Sequence, residues 1–124
     1  MEHINSTFWQ TRLLSFRYAL QGVRLFFRSE PNARIHALVT GFVILGMFWL
    51  RVTSAEAAIL FLATGLVWAA ELFNTAIEKM MDIYSTEYHP GIGFVKDMSA
   101  GAVGICALSA AITGGIIFIP KLLS

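Results

Sequence analysis

The chain has 124 residues, of which 56% are hydrophobic and only 14% are charged, and its formal net charge is +1. Soluble domains have about 25% charged residues, so the composition excludes an ordinary soluble domain, and the small net charge gives no reason to expect nucleic-acid binding. A chain of this length has no room for a separate soluble catalytic module. We expect one integral membrane domain over residues 1–124, in which the single cysteine, Cys106, faces lipid or packs in the core.

The first 30 residues are predicted to form an amphipathic helix on the membrane surface. On a helical wheel the polar side chains fall within about 60° of one another, and they are Gln10, Arg17, Gln21, Arg24 and Arg28. Apolar side chains, among them Phe16, Val23 and Phe26, occupy a broad face away from them. A helix with arginines on one side and aromatic residues on the other lies in the membrane plane. A simple membrane anchor is the alternative interpretation of this segment.

Three hydrophobic segments are each predicted to span the membrane as a helix: residues 35–51, 55–81 and 98–120. The first reaches across the ~30 Å hydrocarbon core only if Arg51 extends its charged end to the interface. Pro31 suits the first turn of the helix that contains this segment. Thr53 and Ser54 are the two candidate N-caps for the second span.

The third segment is preceded by residues that favour a loop. Pro90, Gly91 and Gly93 are expected to interrupt the helix within residues 83–96. The third segment itself is rich in glycine, alanine and serine, which allow helices to pack closely in lipid. Three helices cannot fully enclose polar side chains within the membrane. We therefore expect neighbouring subunits to pack against the chain and cover the polar residues of the second span.

The basic residues predict the orientation of the chain in the membrane. With three spans, the N-terminal region and the connection after the second span share one side, and seven lysines and arginines lie there. Only Arg51 and Lys121 lie on the opposite side. Since basic residues accumulate on the cytoplasmic side, we expect a cytoplasmic N-terminus.

The most informative feature of the sequence is a row of polar residues in the second span. Glu71, Asn74, Glu78 and Asp82 follow the uncharged residues 57–70. At helical periodicity these four side chains fall within an arc of about 80°. Ionisable residues at membrane depth are costly and mark functional sites. We call this row the polar stripe and expect the chemistry of the protein there, at the cytoplasmic end of the span.

The stripe and polar residues expected at the same depth together resemble the groups that phosphoryl transfer uses. The deeper carboxylate, Glu71, would act as a base in dry surroundings. Glu78 and Glu30 would together hold Mg²⁺, which takes one or two carboxylates along with substrate phosphates. Lys96 and Asp97 add a cation and a carboxylate at the same level. The phosphate-binding loop and the catalytic loop of soluble kinases are absent from the sequence.

Less specific interpretations apply to the same residues. Glu78 and Asp82 could simply be solvated carboxylates near the interface. Asn74 could form a hydrogen bond to a neighbouring helix, and Lys96 could anchor the helix at the membrane edge. His36 and His89 are expected to form interfacial hydrogen bonds, because no metal-ligand spacing surrounds them.

Two other classes of protein are alternatives to a kinase. A small proton-coupled membrane transporter would also use a membrane-embedded glutamate such as Glu71. It would give no role to the other polar residues at the same interface. A non-catalytic membrane scaffold is the second alternative. In a scaffold the polar stripe would be energetically unfavourable and would have no function.

These residues resemble the signature of a known family. The segment from Glu71 to Glu78, followed by Asp82, residues 85–89 and residues 96–98, resembles the prokaryotic diacylglycerol kinase family, which also includes the undecaprenol kinases. The resemblance continues upstream through Tyr18, Glu30 and residues 32–36 and therefore covers nearly the whole chain.

The resemblance implies a small trimeric membrane kinase, with a surface helix and three spanning helices, in a bacterial inner membrane. Such an enzyme transfers the γ-phosphoryl group of ATP to a lipid hydroxyl with the help of Mg²⁺. By the family motif, Glu71 is the general base, Asn74 supports it, and Glu30 and Glu78 bind the metal. The implied nucleotide site comprises Tyr18, Glu30, Glu78, Asp82, Glu87, His89, Lys96 and Asp97.

The resemblance leaves the acceptor lipid open. It places Arg34 and Trp49 with Glu71 along the path of the lipid, and Arg12 as a further nucleotide contact. The form of residues 32–36 resembles that of Gram-positive-type members, many of which prefer undecaprenol. The diacylglycerol-specific branch has Gln-Glu in place of residues 35–36. Diacylglycerol and undecaprenol are both candidate acceptors.

Overall fold

The computed structural model describes residues 7–124, and over these residues it contains four α-helices and no strand. The helices are α1 (Phe8–Ser29), α2 (Pro31–Trp49), α3 (Ser54–Tyr84) and α4 (Pro90–Leu122). The last three are each long and apolar enough to cross a membrane. The predicted all-α fold, with an N-terminal helix followed by three spans, is confirmed. Residues 1–6 of the predicted surface helix lie outside the described residues.

Local sequence explains where the first three helices begin. Thr7 and Gln10 form a capping box at α1, in which the Thr7 hydroxyl accepts from the Gln10 backbone N–H at 3.4 Å. Pro31 occupies the first turn of α2, as predicted, where its missing N–H is not needed. Thr53 is the N-cap of α3 and forms a second capping box with Glu56.

The first span ends earlier than predicted. The segment 35–51 overruns α2, because Leu50 and Arg51 form a turn in which Arg51 adopts a left-handed backbone conformation with φ of 52°. A residue in this conformation cannot continue a right-handed helix. The other two predicted spans, 55–81 and 98–120, lie within α3 and α4.

The predicted interruption of the helix within residues 83–96 is present, but Gly91 and Gly93 do not belong to it. α4 begins at Pro90 and includes both glycines, so the connection from α3 comprises only residues 85–89. His89 caps the helix, since its Nδ1 accepts from the Gly91 backbone N–H at 3.0 Å. Proline is favourable in the first helical turn, and each glycine costs only about 1 kcal/mol, which a helix packed along its length on α3 outweighs.

α3 and α4 form a long antiparallel pair, joined near both ends by ion pairs. Lys96 and Asp82 are 2.7 Å apart near the 85–89 connection, and Lys121 and Glu56 are 3.1 Å apart at the opposite end. α2 packs less closely on this pair. Near its C-terminal end, Gly46 lies against the Phe118 ring of α4, and a Cβ added at Gly46 would be 3.4 Å from that ring. An open cleft therefore remains between α2 and the α3–α4 pair.

The surface helix α1 is attached through its C-terminal end. Phe26 is 3% exposed, and its ring meets the Trp68 ring of α3 edge-on, with centroids 6.1 Å apart. The ring of Phe27 lies 5.5 Å from the same tryptophan. Most other α1 side chains are exposed in the single chain, as expected for a helix whose apolar face meets lipid.

We expect Phe26→Ala to loosen α1 from α3, because it removes the buried ring that contacts Trp68. In a Trp9→Phe, Trp49→Phe background Trp68 is the only tryptophan, and its fluorescence should shift to longer wavelength as water reaches the indole. The matched control is Phe16→Ala, on the same helix at a 70% exposed position, which should leave the spectrum unchanged. Equal spectra for the two variants would contradict this attachment.

Candidate active site

Glu71 lies at the centre of the site. It is the one acidic side chain that is buried among residues 7–124, with 8% of its surface exposed. Its Oε1 lies 2.7 Å from Nε2 of His36 on α2. A carboxylate that leaves water needs a hydrogen-bond donor, and a short contact with an imidazole supplies one. The predicted interfacial hydrogen bond of His36 is thus present, and its partner is the predicted base.

Two further side chains hold the histidine. The Thr40 hydroxyl donates to the His36 backbone carbonyl at 2.7 Å, one turn along α2. The Trp68 indole N–H of α3 donates to the same hydroxyl at 2.9 Å, and the Trp68 and His36 rings lie with centroids 6.1 Å apart. The tryptophan that anchors α1 therefore also links α2 to α3 beside Glu71.

Asn74 contacts a different carboxylate from the one expected. Its amide nitrogen donates to Glu78 Oε1 at 3.3 Å, so within residues 7–124 the support of Glu71 comes from His36. The amide oxygen of Asn74 is buried and has no hydrogen-bond partner in the described part of the chain. A buried acceptor without a donor is unfavourable.

The two predicted metal ligands lie in different segments of the chain, Glu30 between α1 and α2 and Glu78 within α3. Glu30, the N-cap residue of α2, has Oε1 3.6 Å from Nζ of Lys79 on α3. Glu78 lies beside Lys79 on α3 and is half-buried. No group of three or more histidine, cysteine or acidic side chains gathers at metal-binding distance within residues 7–124. Two carboxylates from separate segments fit Mg²⁺, which completes its coordination with water and phosphate oxygens.

Four of the predicted nucleotide-binding residues line one pocket. This pocket has a volume of about 260 Å³ and lies at the 85–89 connection between α3 and α4, where it is bordered by Asp82, Glu87, His89 and Lys96. The Lys96 ammonium donates to Asp82 Oδ1 at 2.7 Å, which holds a cation at the pocket wall. Glu30, Glu78, Tyr18 and Asp97 do not line it.

The remaining predicted residues lie neither beside Glu71 nor in the pocket at residues 85–89. Tyr18 on α1 is 67% exposed, and Asp97 is exposed on α4. Arg34 is exposed near the start of α2, whereas Trp49 ends that helix and is 80% exposed. Fifteen residues of helix separate Arg34 from Trp49, about 22 Å, so these two cannot contact one lipid headgroup together.

An apolar cleft between α2, α3 and α4 borders His36, the hydrogen-bond partner of Glu71. Its volume is about 320 Å³, and its polar lining includes His36, Thr40 and Trp68. The remaining walls are mainly aliphatic, with Val39, Val67 and several small residues of α4. A buried carboxylate next to an apolar cleft suits a ligand with a hydroxyl at one end and a hydrocarbon body.

Comparison with known proteins identifies the family. Residues 17–118 match the family model described as prokaryotic diacylglycerol kinase. The chain belongs to the prokaryotic diacylglycerol kinase family. The resemblance inferred from the motif is therefore confirmed, and with it the class of enzyme, a lipid kinase.

The relatives are named for two different activities. The chain is 39% identical to a diacylglycerol kinase of Synechocystis over 94% of this chain and 69% of the relative. It is 37% identical to an undecaprenol kinase of Bacillus subtilis over 87% of this chain and 88% of the relative. It is 31% identical to a diacylglycerol kinase of Escherichia coli K12 over 88% of this chain and 90% of the relative. These identities do not separate the two acceptor lipids.

The contacts around Glu71 of this lipid kinase were only partly evident in its sequence. His36 stood out as a hydrogen-bonding residue, but nothing in the sequence paired it with Glu71, 35 positions away. Thr40 and Trp68 went unnoticed. The available signal was their spacing, since residues 36 and 40 and residues 68 and 71 each share a helix face.

We expect Asn74→Leu to stabilise this lipid kinase in detergent by about 1 kcal/mol, because it removes a buried acceptor that has no partner. The long hydrogen bond to Glu78 that is lost should matter less. Unfolding in sodium dodecyl sulfate measures the effect, with Asn32→Leu at an exposed α2 position as the control. A lower midpoint for Asn74→Leu would mean that a lipid or a second copy of the chain already supplies a donor.

Proposed function

We propose that the chain phosphorylates the hydroxyl group of a membrane lipid with ATP and Mg²⁺ at the cytoplasmic interface. The main support is the position of Glu71, a buried carboxylate hydrogen-bonded to His36 beside an apolar cleft, in a member of this kinase family. The acceptor is diacylglycerol or undecaprenol, the two lipids named for the relatives.

Glu71 acts as the general base. Its Oε1 accepts from His36, which leaves Oε2 for the lipid hydroxyl. The proton of that hydroxyl passes to Oε2 as the lipid oxygen attacks the γ-phosphorus of ATP, the bond to the bridging oxygen breaks, and ADP leaves. Most of the catalysis comes from placing the two reactants in line and from stabilising charge.

Glu30 and Glu78 would hold the magnesium ion. The ion would neutralise the charge of the ATP phosphates. In the chain without nucleotide, Lys79 lies 3.6 Å from Glu30 and offsets its charge, and Asn74 donates to Glu78. These two contacts would have to rearrange when the metal binds.

The nucleotide approaches through the pocket at the 85–89 connection. Lys96 at its wall is positioned to contact phosphate oxygens, in exchange for its present partner Asp82. This end of α3 also carries Lys79 and lies on the side with seven of the nine basic residues. The excess of positive charge supports a cytoplasmic location of this side and of the N-terminus in a bacterial inner membrane.

Three copies of the chain form the working enzyme. A single copy leaves most large apolar side chains of α2 exposed, including Leu38, Phe42 and Leu45, and leaves the cleft open. Copies packed around one another would cover these surfaces and complete the sites, with Glu30 and Glu78 free to act across a subunit boundary. Crosslinking in a bilayer mimetic that yields monomers alone would contradict a trimer.

The transporter alternative explains fewer observations. It uses Glu71 but gives no role to the pocket at residues 85–89 or to Lys96, and the family match does not favour it. Flux of protons or cations in proteoliposomes without ATP would support a transporter.

A competition assay identifies the acceptor. Purified protein, Mg²⁺ and γ-labelled ATP are mixed with equal mole fractions of diacylglycerol and undecaprenol in micelles. Label in undecaprenyl phosphate assigns the enzyme to supply of the cell-envelope carrier, and label in phosphatidic acid assigns it to recycling of diacylglycerol. Label in neither lipid would overturn the proposed function.

Glu71→Gln should lower kcat for lipid phosphorylation by about a hundredfold or more, because an amide cannot take the proton of the hydroxyl. The matched control is Glu56→Gln, on the same helix at the opposite membrane face, with near-normal activity expected. Size-exclusion chromatography and circular dichroism check that both variants are folded. Normal turnover by Glu71→Gln would remove Glu71 as the base.

Glu78→Gln should weaken the Mg²⁺ dependence of nucleotide binding, with an apparent affinity for the metal about tenfold lower, because one of two carboxylate ligands is lost. Titration of Mg²⁺ at fixed nucleotide, followed by fluorescence of a labelled ATP analogue, measures this. Glu56→Gln again serves as the control. An unchanged Mg²⁺ titration would exclude Glu78 from the metal site.

A further inference from the structure

We propose that His36 is a positioning residue for the catalytic carboxylate, fixing Glu71 Oε1 so that Oε2 faces the lipid hydroxyl. This inference rests on the proposed function, in which Glu71 is the general base. A base must be held at the correct angle to the proton it removes, and a third group that hydrogen-bonds the base commonly provides this orientation. His36 has the geometry for that role.

The contact joins two protected side chains on different helices. Nε2 of His36 and Oε1 of Glu71 are 2.7 Å apart, and their side chains are only 21% and 10% exposed. An imidazole N–H that donates to an ionised carboxylate forms a strong, charge-assisted hydrogen bond. With Glu71 ionised, the proton of the pair therefore resides on Nε2 of His36, and this hydrogen bond restrains one of the two carboxylate oxygens.

The histidine is itself held from two sides. Thr40 bonds its backbone carbonyl and receives the indole N–H of Trp68, so the turn of α2 that bears His36 is tied to α3 at residue 68. The ring of Trp68 also lies against the imidazole. Residues 68 and 71 are one turn apart on α3, so the same short segment presents the carboxylate and fixes the group that orients it.

Two observations favour a role in positioning the base over a role in packing alone. Asn74, the other polar neighbour on the stripe, bonds to Glu78, so within residues 7–124 His36 is the hydrogen-bond partner of Glu71. His36 also lines the apolar cleft, which places its ring at the boundary between the base and the space that a lipid would occupy. A His36–Glu71 pair that served only to hold α2 against α3 would not have to border the cleft.

Steady-state kinetics with three variants of His36 test the proposal. The amide nitrogen of Gln at position 36 reaches the place of Nε2, whereas that of Asn reaches only the place of Nδ1. We expect His36→Ala and His36→Asn to lower kcat by about ten- to a hundredfold, with KM for ATP unchanged. His36→Gln should recover to within about threefold of the wild type, because the donor is restored.

A matched control separates positioning from the loss of an interhelical contact. Lys121→Gln also removes a partner from a glutamate of α3, Glu56, at the opposite face of the membrane. Its kcat should stay at the wild-type value. Equal losses in the Gln and Asn variants of His36, or a normal kcat for His36→Ala, would overturn the proposal.

A readout that does not depend on turnover separates this proposal from the proposed function. In protein with ¹⁵N-labelled histidine, the Nε2–H signal of His36 should appear far downfield and return to an ordinary position in Glu71→Ala. An unchanged signal would overturn the proposal even if lipid phosphorylation is normal. A wild-type protein that shows the downfield signal and phosphorylates no lipid would overturn the proposed function, and the catalytic role of His36 with it.

Discussion

The burial of a carboxylate within a membrane-spanning helix is the constraint on which the rest of this structure depends. Glu71 loses water there, and an uncompensated charge at that depth is strongly unfavourable. The chain compensates with His36 from the neighbouring helix, and Thr40 and Trp68 hold that histidine in place. Because the Trp68 ring also packs against Phe26 of α1, one indole connects α1, α2 and the part of α3 that bears Glu71.

The polar stripe occupies a single face of α3, yet its residues contact both α2 and α4. Its deepest residue meets α2, its shallowest, Asp82, meets Lys96 of α4, and the middle pair, Asn74 and Glu78, bond to each other. The outermost carboxylate of the stripe, Asp82, is exposed, whereas the innermost, Glu71, is buried. This gradient matches the division of roles in a lipid kinase, where metal and nucleotide come and go and the base must stay in position.

Much of the architecture could be predicted from the sequence, because hydrophobic length and helix-capping residues act locally. Three apolar segments, Pro31 in a first turn and Thr53 as a cap are properties of short windows, and all are confirmed. The start of α4 was predicted wrongly for a related reason. Pro90 and two glycines favour a loop when considered alone, but the His89 cap and the packing of α4 on α3 outweigh their modest cost.

The sequence by itself determined the class of protein, the family and the candidate catalytic residues, since a carboxylate in an apolar run is unusual wherever the chain folds. Only the tertiary structure decided which groups meet. The pairing of His36 with Glu71 and the cleft beside them depend on how α2 crosses α3. Contacts between helices join residues tens of positions apart, and helical periodicity specifies the face of one helix without specifying the face that it meets.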